Sequence, residues 1–308
     1  MTDGADTTSA NAITAAAGKV ARDIGARSVM FYEGAMPEIH RVVQLIKPPT
    51  ELIAITSGEE TALKANKRIH HLEVPDFKLT RMDQIKMATL IAFSRRMLDG
   101  GDRFVALSGV AGKPVDTMVI MEVGQEYELF QSVDQPKLTE HVRRVVFQRV
   151  LTICLELANE GREGRSVGAL FVIGSLRQLE KYTEQHIMNP FRGYPEKERN
   201  ILSDNMRNTV KEFAAIDGAF IIKGNGVIVS AGTMLRPDIG GQDLPQGLGA
   251  RHASAAAITA STRCIALTVS QSTGSVRLWR RGRMITEIEK APRQGLPESG
   301  SNSGGGGE

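Results

Sequence analysis

Apolar residues fall at Met82, Ile85, Leu90, Phe93 and Met97 along residues 80–98, and at Val142, Val146, Val150, Ile153 and Leu157 further on. Both spacings return to one face of a helix every third or fourth position, so two amphipathic helices are predicted, the second ending near Gly161. Short β-rich runs surround them: 52–56, 104–108 and 117–122 in the first half, then a continuous apolar run at 167–174 and further strands at 219–222, 227–231, 264–270, 276–279 and 284–288. A polar helix is expected over about 196–214. Asn225-Gly226, Thr273-Gly274 and Arg281-Gly282 each separate a pair of these strands and predict hairpin turns, because the favoured two-residue turns need positive φ. The first half thus reads as α/β layering, and the second as a central mixed or antiparallel sheet flanked by helices.

The chain has 308 residues, about twice the ~150-residue prior for one domain, and the polar break at 131–136 (QSVDQP) is the natural boundary. The division expected is a flexible N-terminus at 1–14, an α/β domain at 15–130, a linker at 131–136, a second domain at 137–290 and a disordered tail at 291–308. The last twelve residues carry no apolar side chain, so ordering them would cost entropy with nothing to bury. A composition of 41% hydrophobic and 24% charged residues excludes a largely disordered chain. The net charge of +3 argues against a protein that lives by covering phosphate backbones, so a nucleic-acid partner is not expected. Cys154 and Cys264 have no metal-ligand spacing, the first residues lack a basic region before an apolar run, and no apolar stretch approaches the ~18 residues of a membrane span. A soluble, cytoplasmic protein without membrane attachment is expected.

Two segments carry candidate chemistry. Gly249-Ala250-Arg251-His252 follows a Gly/Pro/Asp-rich loop and precedes a helix of small residues at 255–261. A helix start offers free N–H groups and the positive end of the dipole, and Arg251 and His252 add donors suited to phosphate; a merely solvated helix start is the competing account. Asp217-Gly218-Ala219 stands where a helix gives way to a strand. A carboxylate there can hold a metal or take a proton from a hydroxyl, or can simply cap a turn amide.

The stretches AAIDGAFIIKGNGVIVSAGTML (214–235), LGARHASAAAIT (248–259) and TVSQSTGSV (268–276) together resemble the diadenylate cyclase (DAC) domain, the family that makes cyclic di-AMP from two ATP molecules. Asp217-Gly218-Ala219 matches its DGA motif, and Arg251-His252 the first two residues of its Arg-His-Arg motif. The segments LIAITSGE (52–59) and GDRFVALSGVAGKPVDTMVIMEV (101–123) resemble the C-terminal domain of pyruvate kinase. The whole resembles the soluble archaeal-type architecture, a pyruvate-kinase C-terminal-like α/β domain followed by a DAC domain with a central mixed sheet.

That resemblance implies a metal-dependent nucleotidyltransferase that condenses two ATP into cyclic di-AMP and pyrophosphate for second-messenger signalling, using Mg²⁺ or Mn²⁺, in a homo-oligomer whose DAC domains face each other. The front domain would drive assembly or sense a ligand. By match, Asp217 assists the attacking hydroxyl and is the candidate metal ligand, while Gly218 and Ala219 let nucleotide lie against the backbone. Leu235 packs on adenine, Gly249, Ala250, Arg251 and His252 meet phosphate, and Ser270 and Gln271 line the phosphate and metal region. Two positions depart from the family: Ala253 stands where the second motif arginine is usual, and Gln271 where a glutamate is usual. Arg236, Arg263 or Arg277 are candidates to restore the first charge, and Gln271 implies weaker metal binding. These departures also leave open a catalytically weak regulatory protein that binds ATP or cyclic di-AMP. His40, His70, His71, His141 and His186 show no ligand spacing and read as isolated histidines. Asn189-Pro190-Phe191 with Gly193-Tyr194 reads as a rigid turn, packed in the core or lining the nucleotide site, and the arginines at 277, 280, 281 and 283 as a solvated hairpin. Residues 108–113 read as a connecting loop.

Overall fold

The structure is a computed structural model and describes residues 3–57, 68–77, 79–110, 113–124, 141–162, 165–237 and 249–290. The expected linker and tail, most of the loop before Gly249 and part of the loop at 108–113 lie outside the described residues.

In the first half, strands β1 (Ser28–Tyr32), β2 (Glu51–Thr56), β3 (Ile69–Glu73), β4 (Arg103–Ser108) and β5 (Thr117–Glu122) form a sheet in the order β3-β2-β1-β4-β5. The first four are parallel and β5 closes the edge antiparallel. A parallel sheet is covered on both faces, which is why β1 and β2 read as unbroken apolar runs. One cover is α1 (Asp3–Asp23) with α2 (Ile39–Leu45); the other is α3 (Arg81–Ser94). Thr80 caps α3, its Oγ1 accepting the Asp83 amide at 3.2 Å.

Helix α1 corrects the expectation of a flexible N-terminus. Ala10, Thr14, Ala17 and Ala21 are buried on one face, and these small side chains give too weak an apolar signal to be read as a stripe. Their size is what lets the helix lie close: a Cβ on Gly18 would stand 2.8 Å from the Leu45 carbonyl oxygen. Met82 is also corrected; it is exposed, while Ile85 and Leu90 are buried and Phe93 and Met97 pack partly buried against the core.

The second half forms one sheet in the order β12-β11-β10-β6-β8-β9-β7, from β6 (Ala169–Gly174), β7 (Thr183–Gln185), β8 (Ala219–Lys223), β9 (Ile228–Leu235), β10 (Ile265–Val269), β11 (Val276–Arg280) and β12 (Arg283–Ile288). Only β6 and β8 are parallel, so the mixed, largely antiparallel sheet expected from the sequence is the one observed. All three hairpin glycines have positive φ, and at the β11–β12 turn Arg281 (φ +50°) joins Gly282 (φ +78°). Helix α4 (Arg144–Glu160) and α6 (Asp204–Phe213) cover one face, and α7 (Ala250–Ser261) the other; the short α5 (Leu176–Leu179) follows β6. The expected helix at 196–214 is shorter at its start. Asn200 Oδ1 accepts the Leu202 amide at 3.0 Å, so a local side-chain bond holds a turn where the helix would begin.

Each sheet has a buried cluster of its own on one face, and the two share a third. One cluster of buried side chains runs from Ile85, Leu90 and Ile91 of α3 to Val146 and Val150 of α4 and to Ile285 and Ile288 of β12. Leu79 and Lys290 pair as an isolated bridge at this seam, and Arg144 donates to the Arg95 carbonyl.

Candidate functional site

The site lies at one end of the second sheet, on the α7 side. There the start of β8, the end of β9, the first turn of α7 and the β10–β11 turn surround a cavity of about 820 Å³. Every site residue expected from the sequence lines it: Asp217, Gly218, Ala219, Leu235, Gly249, Ala250, Arg251, His252, Ser270 and Gln271.

Asp217 sits at the mouth with its side chain 92% exposed, and its Oδ1 accepts a hydrogen bond from Arg251 Nη2 at 2.7 Å. An exposed ion pair of this kind contributes only ~0.2–1 kcal/mol, so Arg251 can exchange the carboxylate for a phosphate oxygen at small cost. The arginine is steered by a missing side chain: a Cβ on Gly168 would stand 2.7 Å from Arg251 Nη1 and 3.2 Å from Gln271 Cβ.

Gly218 lines the cavity and also has a packing role. Its φ is +109°, and a Cβ there would meet the Gly232 and Thr233 backbone at 2.6–2.8 Å. The space on the Cβ side of the glycine is filled by β9. Gly232, at φ +64°, bends β9 in turn, and Gln185 Nε2 secures the bend by donating to the Ala231 carbonyl at 2.7 Å. This close strand contact sets Asp217 and Leu235 beside one cavity.

His252 is buried, with Nε2 lacking a hydrogen-bond partner among the described residues. Burial, reinforced by Arg277, holds its pKa below the usual histidine value, so the ring is neutral at pH 7. Ser270 is also buried; it anchors the β10–β11 turn through backbone bonds to Ser275 and Gly274, while its Oγ accepts the Thr273 amide at 3.3 Å. Ser272 and Thr273 thereby join the cavity lining, with Thr233, Ser254, His186 and Arg277.

Thr233, Ser254, Ser272, Thr273 and His186 are not legible as site residues in the sequence, whereas Arg277 is among the candidate replacement charges. His186 belongs to the cavity rather than standing as an isolated histidine; it follows β7, an edge strand too short and polar to be recognised. Of the arginines considered as replacements for the charge missing at Ala253, only Arg277 lines the cavity, and Glu287 already accepts from its Nε at 2.8 Å. Arg236 pairs with Glu184, and Arg263 lies at another concavity. The solvated-hairpin reading is corrected for Arg280, which is buried. Phe191 packs edge-on against Phe213, as core rather than site.

Asp217 is the one carboxylate among the described lining residues, and Gln271 adds an amide oxygen. No group of three or more His, Cys, Asp or Glu side chains is assembled for a metal among the described residues. This donor set fits a divalent ion that arrives bound to phosphates, with the protein adding one or two oxygens, and does not fit an all-protein cage.

A mixed α/β protein with a carboxylate, an arginine and a neutral histidine converging on a nucleotide-sized cavity is the class these features define. Residues 156–284 match the family model described as DisA bacterial checkpoint controller nucleotide-binding, and residues 10–130 match the one described as probable sensor domain DacZ_P. A diadenylate cyclase of Methanocaldococcus jannaschii is 32% identical over 251 residues, covering 78% of this chain and 78% of that protein. One of Haloferax volcanii is 34% identical over 213 residues, covering 67% and 75%. The chain belongs to the diadenylate cyclase family. Among solved structures, DacA from Staphylococcus aureus is similar at 23% identity and a TM-score of 0.33, covering 47% of this chain and 87% of that one. No helix among the described residues is long and apolar enough to cross a membrane.

Proposed function

We propose that this chain condenses two ATP molecules into cyclic di-AMP, releasing two pyrophosphates, and that the cavity between α7 and the β8–β9 end binds one ATP. The observation that carries the site assignment is the Asp217–Arg251 contact at the cavity mouth. It sets a proton acceptor beside a phosphate-binding cation, the pair that attack of a hydroxyl on a phosphoryl group requires. In the proposed reaction the 3′-oxygen of one nucleotide bonds to the α-phosphorus of the other as the bond to pyrophosphate breaks. Asp217 orients the attacking hydroxyl and accepts its proton. Arg251 moves from the carboxylate to the α-phosphate oxygens, where negative charge accumulates. His252 sits behind it with a free ring nitrogen, and Leu235 packs on the base.

Asp217 and the Gln271 amide oxygen are the residues that would hold Mg²⁺ or Mn²⁺; such an ion neutralises phosphate charge and acidifies the hydroxyl when bound. Because Asp217 opens outward, a second copy of the chain can bring its own nucleotide to the same place, and a homo-oligomer with facing sites is the arrangement proposed. Residues 137–290 are taken as the cyclase unit and 15–130 as a pyruvate-kinase C-terminal-like unit that drives assembly or senses a ligand, in a cytoplasmic protein.

The test is incubation of full-length protein with ATP and either ion, with products separated by chromatography and mass. A cyclic di-AMP peak that disappears in Asp217→Asn supports the assignment, with a rate per subunit that rises with protein concentration. Nucleotide binding without product under either ion would favour the regulatory reading that Ala253 and Gln271 motivate.

A further inference from the structure

At the far end of α7, about 18 Å from its first turn at 1.5 Å per residue, lies a second concavity of about 860 Å³. Four cations line it, Arg177, Lys181, Arg263 and Arg281, together with the hydroxyl of Ser175; the Thr262 hydroxyl at its edge already donates to the Ile258 carbonyl at 2.6 Å. No carboxylate belongs to this lining, and none of the four cations has a carboxylate partner among the described residues. Lys181 rests instead over the Tyr182 ring, 4.6 Å from its centre. Elsewhere on this chain arginines are commonly paired, as Arg27, Arg149 and Arg277 are.

The four cations come from three segments that are tied together. The Arg263 amide donates to Gln178 Oε1 at 3.2 Å, joining the end of α7 to α5. The Gly282 amide donates to Thr259 Oγ1 at 3.2 Å, joining the β11–β12 turn to α7. Arg281 occupies a left-handed position in that turn, so its direction is set by the backbone. Complementing the negative end of the α7 dipole accounts for charge next to the helix end, but Arg177 and Lys181 stand on or beside α5.

Four exposed like charges around one concavity, on a frame tied through its backbone, leave a positive patch that a multiply charged anion would neutralise. Guanidinium and ammonium groups with the Ser175 hydroxyl match phosphate oxygens. No aromatic residue belongs to this lining among the described residues, so the concavity lacks the stacking surface that single-stranded nucleic acid uses. We propose that this concavity binds the polyphosphate group of a small molecule, at a site separate from the nucleotide cavity. The phosphate chain can be inorganic or carried by a nucleotide. This inference does not depend on the cyclase reading.

The test is calorimetric titration of tripolyphosphate into full-length wild type, Arg177→Ala/Arg281→Asn and Arg251→Ala. Asparagine is chosen at position 281 because it tolerates positive φ. The expected result is a salt-sensitive site retained in Arg251→Ala and weakened at least tenfold in the double variant. A parallel titration with ATP in Arg251→Ala separates the sources: equal affinity indicates that the phosphate chain suffices, and tighter binding that a nucleoside contributes; either supports the site. The proposal is overturned if tripolyphosphate does not bind, if the double variant binds like wild type, or if binding is lost in Arg251→Ala alone, which would place the anion in the nucleotide cavity. A single-stranded oligonucleotide that binds more tightly than tripolyphosphate, and is lost with the double variant, would assign the patch to nucleic acid instead.

Discussion

Asp217 and Arg251 stand 34 positions apart in sequence and meet at 2.7 Å, Arg251 Nη2 donating to the carboxylate across the mouth of the cavity. The contact joins the start of β8 to the first turn of α7. Asp217→Asn keeps an acceptor oxygen but loses the charge and most of the basicity. Turnover should fall by at least ~100-fold, the lower end of what general acid–base catalysis contributes. ATP binding, measured by calorimetry, should remain within a few-fold of wild type. A variant that keeps near-normal turnover would remove Asp217 from the chemistry.

Two glycines near the site should respond differently to alanine. At Gly168 the added methyl meets the mobile end of Arg251, so the fold should survive while the arginine is displaced and catalysis suffers. At Gly218 it meets backbone at 2.6–2.8 Å with φ at +109°, and neither neighbour can yield. Gly218→Ala should lower stability by about 2 kcal/mol or more, read as a shift in urea midpoint, whereas Gly168→Ala should leave the midpoint nearly unchanged.

His252 gives a pH dependence with a definite sign. Its folded pKa lies below the unfolded value of 6.5, through burial first and Arg277 second. Well above pH 6.5 both states leave the ring neutral and it contributes no pH dependence. As pH falls below 6.5 the unfolded chain takes up a proton that the folded protein resists, so stability declines towards the folded pKa. Thermal melts at pH 7.5 and 5.5 should differ less in His252→Gln than in wild type. An identical difference would show that the ring is not desolvated.

Gln271 lines the cavity beside Arg251 and carries no charge. Gln271→Glu restores a carboxylate, and the ion concentration that gives half-maximal cyclic di-AMP formation should fall several-fold. No change in that concentration would place the metal away from this turn.

The shared core bears on how the cyclase unit can be studied. Cutting the chain at residue 137 would uncover Ile285 and Ile288 of β12, the strand on which α3 packs. The isolated segment 137–308 should therefore be less stable than the full chain and bind a dye specific for exposed apolar surface. A segment with the full-chain midpoint would show that this seam contributes little.

Much of the second sheet, and ten of the residues that line its cavity, are legible in the chain's local pattern and motifs. β6, β8 and β10 are nearly continuous apolar runs and Asn-Gly, Thr-Gly and Arg-Gly mark three of its turns, and Asp217, Arg251 and Ser270 stand at strand and helix ends where a ligand can approach. What it left hidden has a physical cause in each case. Helix α1 is held by alanines whose stripe carries little hydrophobic contrast, and the central strand β1 lies between them and the next helix as a five-residue run. The edge strand β7 is polar because one side faces water, so neither it nor His186 stands out. The folded chain alone reveals that Gly218 serves strand packing, that Asp217 has Arg251 for a partner, and that the two sheets share one of their buried clusters. Each of these is a distance between segments far apart in the chain, and local periodicity carries no record of such distances.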